Sequence, residues 1–122
     1  MLNNITTMAS SLRQHLPFYT PSEQDNDIAP YYQNHVAAIT GAGSGMGRAY
    51  AIEFGKLGAK LALADWNEAN LLETKQLVQD LGVTEVFTKA FDVSVESEVF
   101  QFAEAVKSTL GNTHIIINNA GI

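Results

Sequence analysis

The chain has 122 residues, which is enough for one domain with a buried core and too few for two. Seven Lys and Arg residues against thirteen Asp and Glu residues give a net charge of −6, and without a basic cluster nucleic acid is not an expected partner. The absence of cysteine excludes disulfides and thiolate metal sites. No apolar run approaches the roughly 20 residues that cross a bilayer, so we expect a cytoplasmic protein without a membrane span.

Residues 1–35 differ from the rest and are expected to form an amino-terminal extension. They hold all three prolines of the chain and a polar run from Ser22 to Asp27. A short amphipathic helix that ends at Pro17, followed by a linker, is predicted here. The apolar residues before this proline have helical spacing: Ile5, Met8, Ala9, Leu12 and Leu16. A targeting segment is disfavoured, because residues 1–35 contain a single arginine and no continuous apolar core.

Residues 36–122 repeat an order of apolar run, turn, helical period and glycine. This repeat predicts strand–helix–strand units and a parallel sheet. Four strands are expected at about Val36–Thr40, Lys60–Asp65, Glu85–Asp92 and His114–Asn118.

Three helices are expected between these strands. The first runs from about Met46 to Leu57, the second follows a cap at Asn67, and the third follows a cap at Ser94. Each ends at a glycine, which is a natural left-handed stop. The apolar residues expected to face the sheet are Met46, Ala49, Tyr50, Ile52, Phe54 and Leu57 in the first helix, Leu71, Leu72, Leu77, Val78 and Leu81 in the second, and Val95, Val99, Phe102, Val106 and Leu110 in the third.

The predicted fold is α/β: the amino-terminal half of a Rossmann-like, doubly wound parallel sheet. Right-handed crossovers and a reversal after the third strand give four strands in the order 3-2-1-4. Ligands bind such sheets at the carboxyl ends of the strands on either side of the reversal. The first and fourth strands should therefore border the site.

A glycine-rich turn, T-G-A-G-S-G-M-G at positions 40–47, joins the first strand to the first helix. Its glycines follow the spacing G-x-x-x-G-x-G, and neither the dinucleotide fingerprint G-x-G-x-x-G nor the P-loop pattern matches. The mismatch to G-x-G-x-x-G disfavours a flavin as the cofactor. Glycines at such a junction allow a sharp turn, close approach of a diphosphate and close packing of the helix. Together with the free amides of a helix N-terminus, they favour a phosphate-binding loop over an ordinary turn.

Asp65 ends the second strand, some 20 residues beyond this loop. An acidic side chain there can accept hydrogen bonds from ribose hydroxyls, and it favours NAD over NADP because a 2′-phosphate would bring negative charge against it. The neighbouring Ser44 and Trp66 carry no compensating cation, and Arg48 is expected to face elsewhere. The competing interpretation is a strand-terminal Asp that only begins an Asx turn.

Two further short motifs complete a pattern that is more specific than its parts. Asp92-Val93 closes the third strand, and Asn118-Asn119-Ala120-Gly121 follows the fourth. In this order after the glycine loop and Asp65, they closely resemble the short-chain dehydrogenase/reductase family over about residues 36–122. That stretch is accordingly interpreted as an NAD-binding Rossmann half-domain.

The resemblance implies cofactor contacts residue by residue. The glycine loop of the family holds the cofactor pyrophosphate, a role that the resemblance assigns here to Gly41, Ser44, Gly45, Met46 and Gly47.

Five further positions take cofactor roles from the same resemblance. Asp65 corresponds to the ribose-binding acid, and Asp92 to the residue at the adenine amino group, with the Val93 backbone beside it. Asn119 and Ala120 correspond to residues at the nicotinamide-side ribose that also brace the central strands.

The catalytic residues of the family have no counterpart in this sequence. Family members continue past the Asn-Asn-Ala-Gly turn to an Asn, a Ser and a Tyr-x-x-x-Lys pair, whereas none of the four tyrosines here has a lysine four positions on. We therefore expect a truncated, inactive half of an oxidoreductase that in full-length form acts on an alcohol or carbonyl and is a homo-oligomer. The alternative is a non-catalytic dinucleotide-binding or interaction module. The three histidines show no ligand spacing and are expected to be isolated, so no metal site is predicted.

Overall fold

The computed structural model describes residues 30–120, which form a four-stranded parallel sheet with three helices. The sheet order is β3-β2-β1-β4, as predicted. The Rossmann-like half-sheet is therefore confirmed. The strands are β1 (Val36–Thr40), β2 (Lys60–Asp65), β3 (Val86–Ala90) and β4 (Ile115–Asn118), and the helices are α1 (Gly45–Lys56), α2 (Glu68–Asp80) and α3 (Glu96–Leu110); a short 3-10 turn, Pro30–Tyr32, precedes β1.

The two central strands begin and end where the sequence places them, whereas the outer strands are shorter. β3 ends at Ala90 instead of Asp92, because its pairing stops opposite Asp65, the last residue of β2. The Phe91 amide still donates to the Asp65 carbonyl, at 3.1 Å. Asp92 has left the sheet, and its side chain accepts a hydrogen bond from the Ser94 amide instead.

The predicted cap of the second helix is confirmed and that of the third is wrong. The Asn67 side chain accepts a hydrogen bond from the Asn70 amide at 3.0 Å, which satisfies one free donor of the first turn. α3 instead begins after Val95, whose side chain makes no cap bond. Ser94 lies one residue before the cap position, and its amide donates to the Asp92 carboxylate.

Each face of the sheet has its own core. α1 and α2 cover one face, on which Ile39, Leu61, Leu63, Leu71 and Val78 are fully buried. α3 covers the other face, where the buried residues are Val36, Ala62, Ala64, Phe91, Phe102, Val106 and Leu110. Burial on both faces explains the continuous apolar sequence of β2.

The predicted core-facing side of α1 is confirmed in part: Ala49 and Leu57 are buried, and Tyr50, Ile52 and Phe54 are partly buried against the core. Met46 is half exposed, and the buried residues are Gly47, Ala49, Ala51, Glu53 and Gly55. The two glycines and two alanines among them bring the helix axis close to the sheet. A Cβ atom on Gly55 would lie 2.8 Å from a methyl carbon of Val83, so this approach requires glycine.

Two of the histidines, predicted to be isolated surface or strand-end residues, do lie at strand ends but are neighbours and not isolated. The ring centroids of His35 and His114 lie 4.9 Å apart, and Nδ1 of His114 accepts a hydrogen bond from the Val36 amide at 3.0 Å. The parallel pairing of β1 with β4 brings them together at the amino ends of these strands. Among residues 30–120, no cluster of three or more His, Cys, Asp and Glu side chains could hold a metal ion.

Some predictions fall on other parts of the chain. The amino-terminal amphipathic helix, the third histidine (His15) and Gly121 of the Asn-Asn-Ala-Gly turn lie outside the described residues. Within the described range, none of the helices has the length and apolar character that crossing a membrane requires.

Candidate functional site

The loop between β1 and α1 supplies backbone to a large cavity at the carboxyl ends of the strands. Gly41 and Gly45 have positive φ angles of 65° and 54°, which glycine adopts without strain. A Cβ atom on Gly41 would approach the Asn119 side chain and the Ala120 backbone to about 3 Å, whereas nothing lies within 4 Å of one on Gly45. The open space at Gly45 is therefore room for a ligand at the backbone.

Gly47 has a different task from the other glycines of the motif. It is buried in the first turn of α1, where a Cβ atom would overlap the Gly41 carbonyl oxygen. It does not line the cavity but lets the helix lie against the loop. The amides of this first turn have no acceptor inside the helix, so the helix N-terminus offers donors to an anion.

Asp65 holds the other side of the loop. One carboxylate oxygen accepts from the Gly43 amide at 2.8 Å, and the second accepts from the Asn67 amide at 2.8 Å. The second bond is an Asx turn, so the alternative considered for Asp65 is present in the structure. It does not exclude a ligand role, because each oxygen keeps acceptor capacity and the residue borders the cavity.

The turn after β4 closes a third side. The amides of Asn119 and Ala120 both donate to the Thr40 hydroxyl oxygen at 3.1 Å, and the Asn119 side-chain amide donates to the Gly41 carbonyl at 3.3 Å. Thr40 was not predicted as a site residue, and its position before the first glycine was the only available signal. It joins the two ends of the site.

Asp92 and Val93 lie on the side opposite α1. The Ser94 amide donates to the Asp92 carboxylate at 2.9 Å, and this backbone hydrogen bond, followed by one from the Ser94 side chain, lowers the pKa of Asp92 below its ordinary value of 3.8. The exposed carboxylate is therefore ionised at neutral pH. It can accept a hydrogen bond from a ligand amino group.

These segments enclose one cavity of about 840 Å³, which is within the range of cofactor and substrate sites. Nine of the ten predicted site residues line this cavity, and Gly47 is the one that does not. The lining residues are Gly41, Ser44, Gly45, Met46, Asp65, Trp66, Asn67, Asn70, Ala90, Phe91, Asp92, Val93, Asn119 and Ala120.

Arg48 is not among the residues that line the cavity, in agreement with the prediction that it faces elsewhere. Its guanidinium group folds back from α1 and donates to the Gly43 carbonyl at 2.6 Å. It contacts the loop that lines the cavity. No lysine or arginine is among the lining residues.

Comparison with known proteins agrees with this geometry. The family model described as short chain dehydrogenase matches residues 35–122, and the chain belongs to this family. Epidermal retinol dehydrogenase 2 of Mus musculus is 39% identical over 112 residues, which are 92% of this chain and 35% of the relative. The putative oxidoreductase SadH of Mycobacterium tuberculosis is 43% identical over 91 residues, 75% of this chain and 33% of the relative.

Solved structures show the same fold with cofactors bound. A short chain dehydrogenase/reductase from Burkholderia phymatum in complex with NAD has a TM-score of 0.71 and 41% identity over 75% of this chain and 32% of its own. A metagenomic short-chain oxidoreductase in complex with NADP has a TM-score of 0.71 and 30% identity over 75% of this chain and 41% of its own. The chain thus spans about a third of the length of the relatives it matches.

Proposed function

We propose that residues 36–122 form the cofactor-binding part of an NAD-dependent dehydrogenase. The observation that carries the proposal is the open space at the Gly45 backbone, which shares one cavity with the Asp65 carboxylate. A diphosphate at the helix N-terminus and a ribose at an acidic side chain are the two halves of dinucleotide recognition. Residues 1–35 would remain outside this unit as an extension.

The proposed contacts follow the length of the cofactor. The pyrophosphate would lie on the loop and the first turn of α1, and the adenosine ribose on Asp65. The adenine would lie between Asp92 and the Val93 backbone. Asn119 and Ala120 would meet the ribose on the nicotinamide side. The loop contacts are assigned to Gly41, Ser44, Gly45 and Met46, with Gly47 in support.

NAD is proposed as the preferred cofactor over NADP. A 2′-phosphate would stand against the buried Asp65 carboxylate, and the cavity lining holds no cation to offset that repulsion. Arg48, which directly follows the glycine-rich turn, already donates hydrogen bonds to Gly43, Asn70, Glu73 and Thr74.

The proposed reaction is hydride transfer between a nicotinamide ring and an alcohol or carbonyl, carried out by a full-length and homo-oligomeric enzyme. Several relatives are named for alcohol substrates, such as retinol and estradiol. The 122 residues contain no Tyr-x-x-x-Lys pair to move the hydroxyl proton, a contribution of roughly 10²–10⁴-fold. We therefore expect no turnover by this chain itself. The cytoplasmic location stays a prediction.

The single tryptophan of the chain makes the binding step directly measurable. Trp66 follows Asp65 and lies at the cavity with 79% of its surface exposed. Titrating NAD into the 122-residue chain should give a saturable change in tryptophan fluorescence, and calorimetry should give the same Kd. No saturable signal by either method would overturn the proposal. Reduction of NAD by this chain above background, with any of a panel of alcohols, would contradict the expected lack of turnover.

A further inference from the structure

Arg48 ties the glycine loop to α2 through several hydrogen bonds. Besides the bond to the Gly43 carbonyl, its Nε donates to the Thr74 hydroxyl at 2.9 Å and a terminal nitrogen donates to the Asn70 carbonyl at 3.2 Å. The other terminal nitrogen pairs with the exposed carboxylate of Glu73 at 2.7 Å. A planar group with a fixed set of donors is suited to holding several acceptors at once.

Thr74 extends this network to the preceding residue of the loop. Its side chain is fully buried, and its hydroxyl group donates to the Ala42 carbonyl at 2.8 Å while accepting from Arg48. The carbonyl oxygens of Ala42 and Gly43 are therefore both engaged on the α2 side. Neither carbonyl is free to turn toward the cavity.

The same loop residue is fixed from its other side as well. The Gly43 amide donates to Asp65, so an acid and an arginine hold the two polar backbone groups of one glycine. A Cβ atom at Gly43 would lie 2.8 Å from the Asp65 carboxylate. The conformation of the loop is thus set by side chains that lie outside it.

We propose that Arg48 is a positioning residue for diphosphate binding, which rests on the proposed function. It fixes the Gly43 carbonyl against α2, so that the Ser44 amide of the same peptide unit and the first-turn amides of α1 face the cavity. A carbonyl oxygen turned inward would place partial negative charge against an anion and remove a donor from it. Arg48 acts through the loop backbone and not by direct contact with the cofactor.

The test compares ligands that do and do not contain phosphate. Arg48→Met keeps the apolar stem and removes the donors, and it should weaken NAD binding at least about tenfold. Adenosine, which lacks phosphate, should bind this variant and the wild type equally. Glu73→Gln is the matched control, because it removes only the exposed ion pair, and it should change neither affinity. All Kd values are measured by Trp66 fluorescence and calorimetry on the 122-residue chain.

Arg48→Lys separates positioning from simple attraction between charges. Lysine keeps the positive charge but cannot reproduce the planar set of hydrogen bonds, so NAD affinity should stay well below that of the wild type. Full recovery in Arg48→Lys, equal losses for NAD and adenosine, or unchanged NAD binding in Arg48→Met would each overturn the proposal. If Arg48→Met fails to unfold cooperatively, the Arg48→Lys result decides. A wild-type chain that binds no NAD would instead refute the proposed function.

Discussion

The hydroxyl oxygen of Thr40 lies 3.1 Å from the amide nitrogen of Asn119, which follows it by 79 residues. This bond joins the end of β1 to the turn after β4. The Asn119 side chain returns the connection by donating to the Gly41 carbonyl. The end of β1 and the turn after β4 therefore form one hydrogen-bonded unit at one side of the cavity.

Replacing Thr40 with valine should lower the free energy of unfolding by about 1–3 kcal/mol, because the Asn119 and Ala120 amides lose their common acceptor. Thr40→Ser keeps the oxygen and is the control. Denaturant unfolding of the three proteins gives the measurement. Equal stability of the valine and serine variants would show that these hydrogen bonds contribute nothing.

Gly45→Val should abolish NAD binding, because a branched side chain fills the space at the loop and restricts the backbone. Gly111→Val is a matched control: Gly111 also has a positive φ and open space around it, but lies after α3 and away from the cavity. Both variants should lose stability, whereas only Gly45→Val should lose binding in the fluorescence titration. Normal NAD binding by Gly45→Val would refute the phosphate-loop assignment.

The wild-type chain should bind NAD at least about tenfold more tightly than NADP, which corresponds to about 1.4 kcal/mol. Asp65→Ser removes the charge that opposes a 2′-phosphate, so the ratio of the two Kd values should fall toward one even where both affinities drop. Asp80→Asn makes the same change in net charge at an exposed position of α2 and should leave the ratio intact. Calorimetric titration of both cofactors tests this, and a wild-type ratio near one would mean that Asp65 does not face the ribose.

The hydrogen bond from Ser94 to Asp92 should make a pH-dependent contribution to stability. Because the pKa of Asp92 is lowered in the folded state, the contribution is present above its unfolded value and is lost as the pH falls through the folded value, in a window at and below about pH 4. Asp92→Asn should therefore differ from the wild type at pH 6, and this difference should shrink as the pH falls below about 4. Ser94→Ala keeps the amide donor and should retain most of the wild-type pH dependence. Parallel stability curves for the wild type and Asp92→Asn across this range would contradict the assignment.

Ile116 should promote association between copies of the chain through the open edge of β4. Within residues 30–120, β4 pairs only with β1, and Ile116 is 67% exposed, whereas Ile115 and Ile117 pack against the core beneath α1. Ile116→Lys should shift the chain toward monomer in size-exclusion chromatography, because a charge disfavours edge pairing. Leu72→Lys changes a half-exposed residue on α2 and should not have this effect. An unchanged elution profile for Ile116→Lys, or a monomeric wild type, would show that the edge of β4 does not mediate association between chains.

Much of the fold could be predicted because its signals are local. β1 and β2 appear as short apolar runs, and the Asn67 cap depends on residues within three positions. The start of the third helix was predicted one residue early, because serine is a common cap residue and the valine that follows it is not.

The site residues that the sequence missed depend on contacts between distant segments. Arg48 and Thr74 are 26 positions apart, and nothing in the spacing of either indicates their hydrogen bond. Thr40 and Asn119 meet only through the pairing of β1 with β4. Part of the buried side of α1 was not predicted for another reason, since Gly47, Ala51 and Gly55 carry little hydrophobic signal.

The small residues on the buried side of α1 also make two parts of the proposed site unequal in their tolerance of substitution. Any larger side chain at Gly47 or Gly55 would displace the helix and, with it, the amides that are proposed to bind phosphate. The segment after β2 has no such constraint, because Trp66 projects into solvent. Redesign of the proposed site for another nucleotide should therefore begin at Trp66, where a new side chain can alter recognition without moving α1.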